Sequence, residues 1–87
     1  ITAFVESVFP NPSSDKITVK HNFSNVKPML IRIMDVQGRQ VGAIRYGAGE
    51  LPLNRFSINV KDYSAGSYYM NFVSEEQSLG SVKFQVK

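Results

Sequence analysis

Apolar and polar residues alternate along much of the chain, and a period of two is the mark of a strand with one buried face. Arg55 to Lys61 shows it most clearly, with Phe56, Ile58 and Val60 on one side and polar residues on the other. Lys16 to Lys20 sets Ile17 and Val19 against lysines, and Val82, Phe84 and Val86 face away from Lys83, Gln85 and Lys87. Weaker alternation runs through Ala3 to Phe9, Met29 to Met34 and Arg39 to Arg45. Tyr68 to Val73 is apolar on both faces except at Asn71, which predicts a central strand. Seven strands are expected in all.

Turn formers separate them. Pro10-Asn11-Pro12-Ser13-Ser14-Asp15 cannot continue a ladder, because proline has no N–H to donate. Asp35-Val36-Gln37-Gly38 predicts a tight hairpin turn with Gly38 at positive φ. Tyr46 to Glu50 reads as a flexible connection, and Ser74 to Ser78 as a polar hairpin loop. No convincing helical stretch occurs. The pattern predicts an all-β fold, a single immunoglobulin-like antiparallel β-sandwich of about seven strands. Within Asp62 to Tyr68 lies the spacing of a tyrosine corner, where Gly66 permits a tight turn and the Tyr68 hydroxyl bonds back to upstream backbone. Tyr63 is expected to plug the space before that corner. The expected core is Val8, Ile17, Val19, Ile31, Ile33, Val41, Phe56, Ile58, Val60, Tyr68, Met70, Phe72, Val82, Phe84 and Val86.

Composition narrows the function. With 87 residues, the chain has room for one domain and a thin core, too little for a deep catalytic cavity. There is no cysteine, which excludes disulfides, thiolate metal sites and thiol nucleophiles. Hydrophobic residues make up 43% and charged residues 20%, a globular balance, and the net charge is only +3. Apolar runs such as Met29-Leu30-Ile31 fall far short of the roughly 18 residues that span a bilayer. A start at Ile1, without a signal peptide, suggests a piece of a longer polypeptide.

Candidate chemistry is sparse. Histidine catalysis would rest on His21 alone, which reads as a solvated residue at a strand end. Glu75 and Glu76 read as solvated loop residues, and Asp15, Asp35 and Asp62 as turn caps. No catalytic residue, metal site or cofactor is expected. The cations are spread over nearly every strand without an aromatic platform, so nucleic acid is not an expected partner. Asn22-Phe23-Ser24 fits a glycosylation sequon, a short pattern that arises often by chance. Two binding alternatives stand: a generic immunoglobulin- or fibronectin-like spacer or adhesion module, and a carbohydrate-binding sandwich that stacks sugars on Tyr46, Tyr63 or Tyr69.

The order of motifs carries more. Val8-Phe9-Pro10-Asn11-Pro12-Ser13 precedes the Ile17/Val19 strand, followed by Ile31 to Arg39 with its Asp35-Val36-Gln37-Gly38-Arg39 turn. Then come Gly66-Ser67-Tyr68 and the closing Lys83-Phe84-Gln85-Val86-Lys87. Over residues 8–87 this resembles the C-terminal sorting domain of proteins exported by the type IX (Por) secretion system of Bacteroidetes. The resemblance implies a non-enzymatic address label fused to an upstream cargo domain. Such a cargo crosses to the periplasm, then passes the outer membrane through the translocon and its outer-membrane shuttle components. A sortase commonly removes the label and leaves the cargo secreted or anchored at the cell surface.

By the same resemblance Pro10, Asn11, Pro12, Gly38 and Arg39 are family motif positions, read here as structural. Gly66, Tyr68, Lys83, Phe84, Val86 and Lys87 are assigned to recognition by the translocon, of which Gly66 and Tyr68 also have a structural reading. Residues 1–7, which no family motif covers, form a linker and cleavage region or an added first strand. Because the chain stops directly after an alternating strand, Ser81 to Lys87 is expected at or near a sheet edge, open to backbone pairing or to self-association.

Overall fold

A computed structural model describes residues 4–10 and 15–87. Its seven strands are β1 (Val5–Phe9), β2 (Lys16–His21), β3 (Met29–Asp35), β4 (Gln40–Tyr46), β5 (Arg55–Asn59), β6 (Gly66–Ser74) and β7 (Gln77–Val86). They form two antiparallel sheets, ordered β1-β2-β5 and β4-β3-β6-β7. No helix occurs among the described residues. The expected sandwich is therefore the observed one, and β6, apolar on both faces, is an interior strand.

The core forms between the inward residues of the two sheets. Ile17 and Val19 face it from β2, and Phe56 and Ile58 from β5. From the other sheet come Ile31, Ile33, Met70, Phe72, Val82, Phe84 and Val86, all buried. Val5, Phe23, Met29 and Leu51 join them, although they lie at strand ends or in loops where alternation says little. Each such side chain contributes roughly 1.5–3 kcal/mol of burial.

Two core expectations need correcting. Val8 is only half-buried, packed against the core from the edge strand β1. Val41 is 42% exposed. The β3–β4 register slips between Ile33–Gly42 and Met34–Gln40, so Val41 is the extra residue of a bulge. After it the phase reverses, and Gly42, Ile44 and Tyr46 face inward instead. Glycine at position 42 leaves room for Tyr63: a Cβ there would meet the hydroxyl at the end of its side chain and push it aside.

Candidate sorting site

The β3–β4 turn carries the first described motif pair. Gly38 has φ +83° and donates its N–H to the Asp35 carbonyl at 3.0 Å. Positive φ at this position, as at Gly66 with φ +151°, is what glycine tolerates and other residues resist. The Asp35 carboxylate accepts from the N–H groups of Gln37 and Arg39, at 2.9 and 3.0 Å. Arg39 Nε donates to it as well, at 2.9 Å. The Arg39 N–H bond, with these further donors, holds the Asp35 carboxyl below its ordinary pKa. Asp35 and Arg39 thus clamp the turn.

The tyrosine corner forms as its spacing implies. Tyr68 donates its hydroxyl to the carbonyl of Ser64 at 2.6 Å, spanning the bend that brings the chain from β5 into β6. Tyr63 packs its ring 5.4 Å from that of Tyr68 and is half-buried, so it does plug the space before the corner. Burial raises its hydroxyl pKa. On the other side, Tyr68 stacks on Phe84 of β7 at 5.6 Å.

The topology gathers the motifs at one end of the sandwich. Asp35 pairs with Tyr68, and Tyr68 with Phe84, so one row across β3, β6 and β7 joins the turn, the corner and the last motif. Gly66 pairs with Val86 one step nearer the rim. Pro10 follows β1 at the same end, because Phe9 pairs with Thr18 near the start of β2 and the Asp15 carbonyl accepts from Val60 beside the corner. The Phe9–Pro10 peptide is cis. Asn11 and Pro12 lie outside the described residues.

β7 pairs with β6 and with no other strand among the described residues, so its far side is a free edge. Phe84 and Val86 point into the core, 0% and 5% exposed. Lys83 and Lys87 are exposed. The residues assigned to recognition therefore divide. Tyr68, Phe84 and Val86 are buried, leaving Gly66, Lys83, Lys87 and the β7 backbone within reach of a partner. β7 also begins earlier than the alternation suggests, at Gln77. The expected five-residue loop is in fact a two-residue turn, Glu75-Glu76, with Ser74 paired to Gln77. A bulge between Phe72 and Val73 inserts Leu79 and hides this part of the strand from a period-two reading.

The opposite end holds what sequence reasoning missed. His21 is 1% exposed, not solvated. Its Nδ1 accepts the Phe23 N–H at 3.0 Å, so the proton sits on Nε2, which donates to the Pro52 carbonyl at 2.9 Å. Desolvation lowers its pKa, and the bond to Pro52 and the charge of Glu6 only partly oppose this. The loop of residues 46–50, expected to be flexible, is stitched in place: Gly49 donates to Asn25 O at 2.6 Å and Gly47 to the Glu50 carboxylate at 2.7 Å. Phe4 stacks on Phe23 at 5.1 Å. Both line a cleft of about 270 Å³, at this end and away from the motifs. Among the described residues, no three His, Asp or Glu side chains converge as metal ligands would. Tyr46 packs on Phe56, Tyr63 on Tyr68, and Tyr69 lies on an outer sheet face, so the three tyrosines form no common platform for a sugar.

A family model described as the secretion system C-terminal sorting domain matches residues 7–87. No curated protein matches the chain. The chain belongs to this family of type IX (Por) secretion sorting domains. Membership makes it a sorting signal for a fused upstream cargo. Its partners are components of that secretion machinery, and its destination is the outer membrane, the cell surface or the medium. The family is not one of enzymes.

Proposed function

We propose that the free edge of β7 is the part of this sorting signal that the secretion machinery reads, and that it is read mainly through backbone hydrogen bonds. One observation carries this: among the described residues β7 pairs on one side only, and its last residues lie at the end where the family motifs converge. An added strand would gain main-chain bonds that do not depend on cargo side chains, which suits a machine that serves many cargos. Lys83 and Lys87 supply charge and register beside that edge. The other motif residues keep the edge in shape: Asp35 and Arg39 fix one turn, and Gly66 and Tyr68 the corner on which Phe84 stacks.

In this reading the cargo waits in the periplasm with the sorting domain folded. An outer-membrane shuttle component presents it to the translocon. A sortase then cuts upstream of β1, leaving the cargo secreted or fixed to surface lipopolysaccharide. A free edge also makes pairing between two copies a competing side reaction.

Secretion of a reporter fused to the domain, in a type IX-competent host, tests the reading. Removing residues 83–87 should abolish surface delivery. That deletion also strips Phe84 and Val86 from the core, so a second variant is needed. K83S/K87S keeps the core and the backbone edge and should lose only a fewfold in delivery. Full delivery after the deletion, or no delivery from a folded K83S/K87S protein, would overturn it.

A further inference from the structure

The strand pairing settles which main-chain groups of the β7 edge are open. In an antiparallel ladder the N–H and C=O of one residue point to one neighbouring strand, and those of the next residue to the other side. Asp35 sets the phase. Its N–H donates to the Arg39 carbonyl at 2.9 Å and its own carbonyl accepts from Gly38, so its main chain points from β3 toward β4. Met34 and Arg32 therefore point the other way, to Tyr69 and Asn71 of β6. The alternate residues of β6, Tyr68, Met70 and Phe72, point on to β7, where they meet Phe84, Val82 and Gly80. The β6–β7 turn gives the same phase independently. A two-residue hairpin closes on a hydrogen-bonded pair, and that pair is Ser74–Gln77.

Ser81 and Lys83 are left with their N–H and C=O directed away from the sheet. Among the described residues no hydrogen bond uses these groups, and Lys83 has no carboxylate within ion-pair distance. Val82 and Phe84 beside them are buried, so the strand cannot shift phase without turning both out to water. The other edges suit pairing less. β4 carries the Val41 bulge, β1 slips between Val5 and Ser7, and β1 and β5 have five residues each. Bulges and short strands are how sheets keep an edge from pairing. β7 runs from Gly80 to Val86 without a slip.

Resting on the edge reading above, we propose that Ser81 and Lys83 are the pairing positions of β7, and that what pairs there is an extended segment of another protein with an Asp or Glu beside Lys83. Such a segment exchanges main-chain bonds with these two residues, and its side chains fall in two rows. One row extends Met34–Tyr69–Lys83 on the outer face, where an acid next to the lysine makes a favourable cross-strand pair. The other row borders Val82 and Phe84 and is apolar. A second copy of this chain fits less well. It would bring its own Lys83 and Lys87 to the same outer face, and like charges across strands repel.

Proline substitution in a cargo fusion, in a type IX-competent host, tests this, because proline removes the N–H and fits a strand only where that N–H is open. S81P and K83P should each cut surface delivery about tenfold. In β4, Gly42 and Ile44 point to Ile33 and Ile31, so the Ala43 N–H is the matching open group. A43P should leave delivery within about twofold. K83E should deliver about threefold less than K83Q. If a proline variant melts below A43P, the α-hydroxy analogue of lysine at position 83 carries the test. It keeps the side chain, replaces the N–H by oxygen, and should lose about fivefold. Unchanged delivery in S81P and K83P, or an equal loss in A43P, overturns the proposal. Amide protection of β7 on binding the machinery would then show the edge still read, in another phase. Equal delivery from K83E and K83Q overturns the acidic partner. A purified fusion that dimerises, and that K83P makes monomeric, would put a second copy at the edge and overturn it as well.

Discussion

The Tyr68 hydroxyl and the His21 ring show how much of this fold hangs on single polar groups inside an apolar layer. Tyr68→Phe keeps the ring against Phe84 and loses only the bond to Ser64 O. The expected cost is about 1 kcal/mol, read as a melting midpoint lower by roughly 4–8 °C. His21 is buried in its neutral form, so the unfolded chain takes up a proton more readily than the folded one. Stability from this group is fully present above the ordinary histidine pKa of 6.5. It declines as pH falls below that value and stops declining once the folded pKa is passed. Denaturant midpoints measured from pH 7.5 to pH 5 should fall, and His21→Asn, which retains an acceptor for the Phe23 N–H, should flatten the dependence. Losses from Asp35 belong to a separate, more acid window, because its pKa is depressed from 3.8. Tyr68 was legible because its partner lies four residues upstream, within a recognisable spacing. His21 was not, since Pro52 is 31 residues away and local sequence says nothing of that contact.

At the scale of elements, the β6–β7 turn works against its own residues. Glu75 and Glu76 have φ of +51° and +65°, the two left-handed positions of a tight hairpin turn that Asn-Gly fills best. Two non-glycine residues held there cost on the order of 1 kcal/mol or more each. E75N/E76G should therefore raise stability by about 1 kcal/mol in a denaturant titration. The substitution also breaks the Lys27–Glu75 pair, but both partners are more than half exposed. Such a pair is worth about 0–1 kcal/mol, less than the relieved strain. Regular strands were readable from alternation, as β2, β5 and the later part of β7 show. Bulges were not: the extra residues Val41 and Leu79 reverse the phase within β4 and β7, so a core position was assigned to Val41 and the start of β7 was read as loop.

For the molecule as a whole, sequence order and spatial order differ in an informative way. Motifs spread from Pro10 to Lys87 come together at one end because antiparallel strands return there on alternate passes. Their spacing in the chain hides this. Alternation already placed Tyr68, Phe84 and Val86 in the core and β7 near an edge; what only the strand pairing shows is that the turn, the corner and the last strand share one row. Whole-domain stability also limits how the edge can be probed. About 4–13 kcal/mol is typical for 87 residues, and truncating one buried Phe costs roughly 3–5 kcal/mol. Phe84→Ala should accordingly unfold much of the population and reduce export, an effect on the fold rather than on recognition.

Amide hydrogen exchange on the fused cargo, free and then bound to solubilised secretion machinery, tests the backbone reading most directly. Amides on the open side of β7 should exchange rapidly in the free protein and become protected on binding, with the new protection concentrated in residues 77–86. Unchanged exchange along β7, with protection appearing elsewhere, would contradict it.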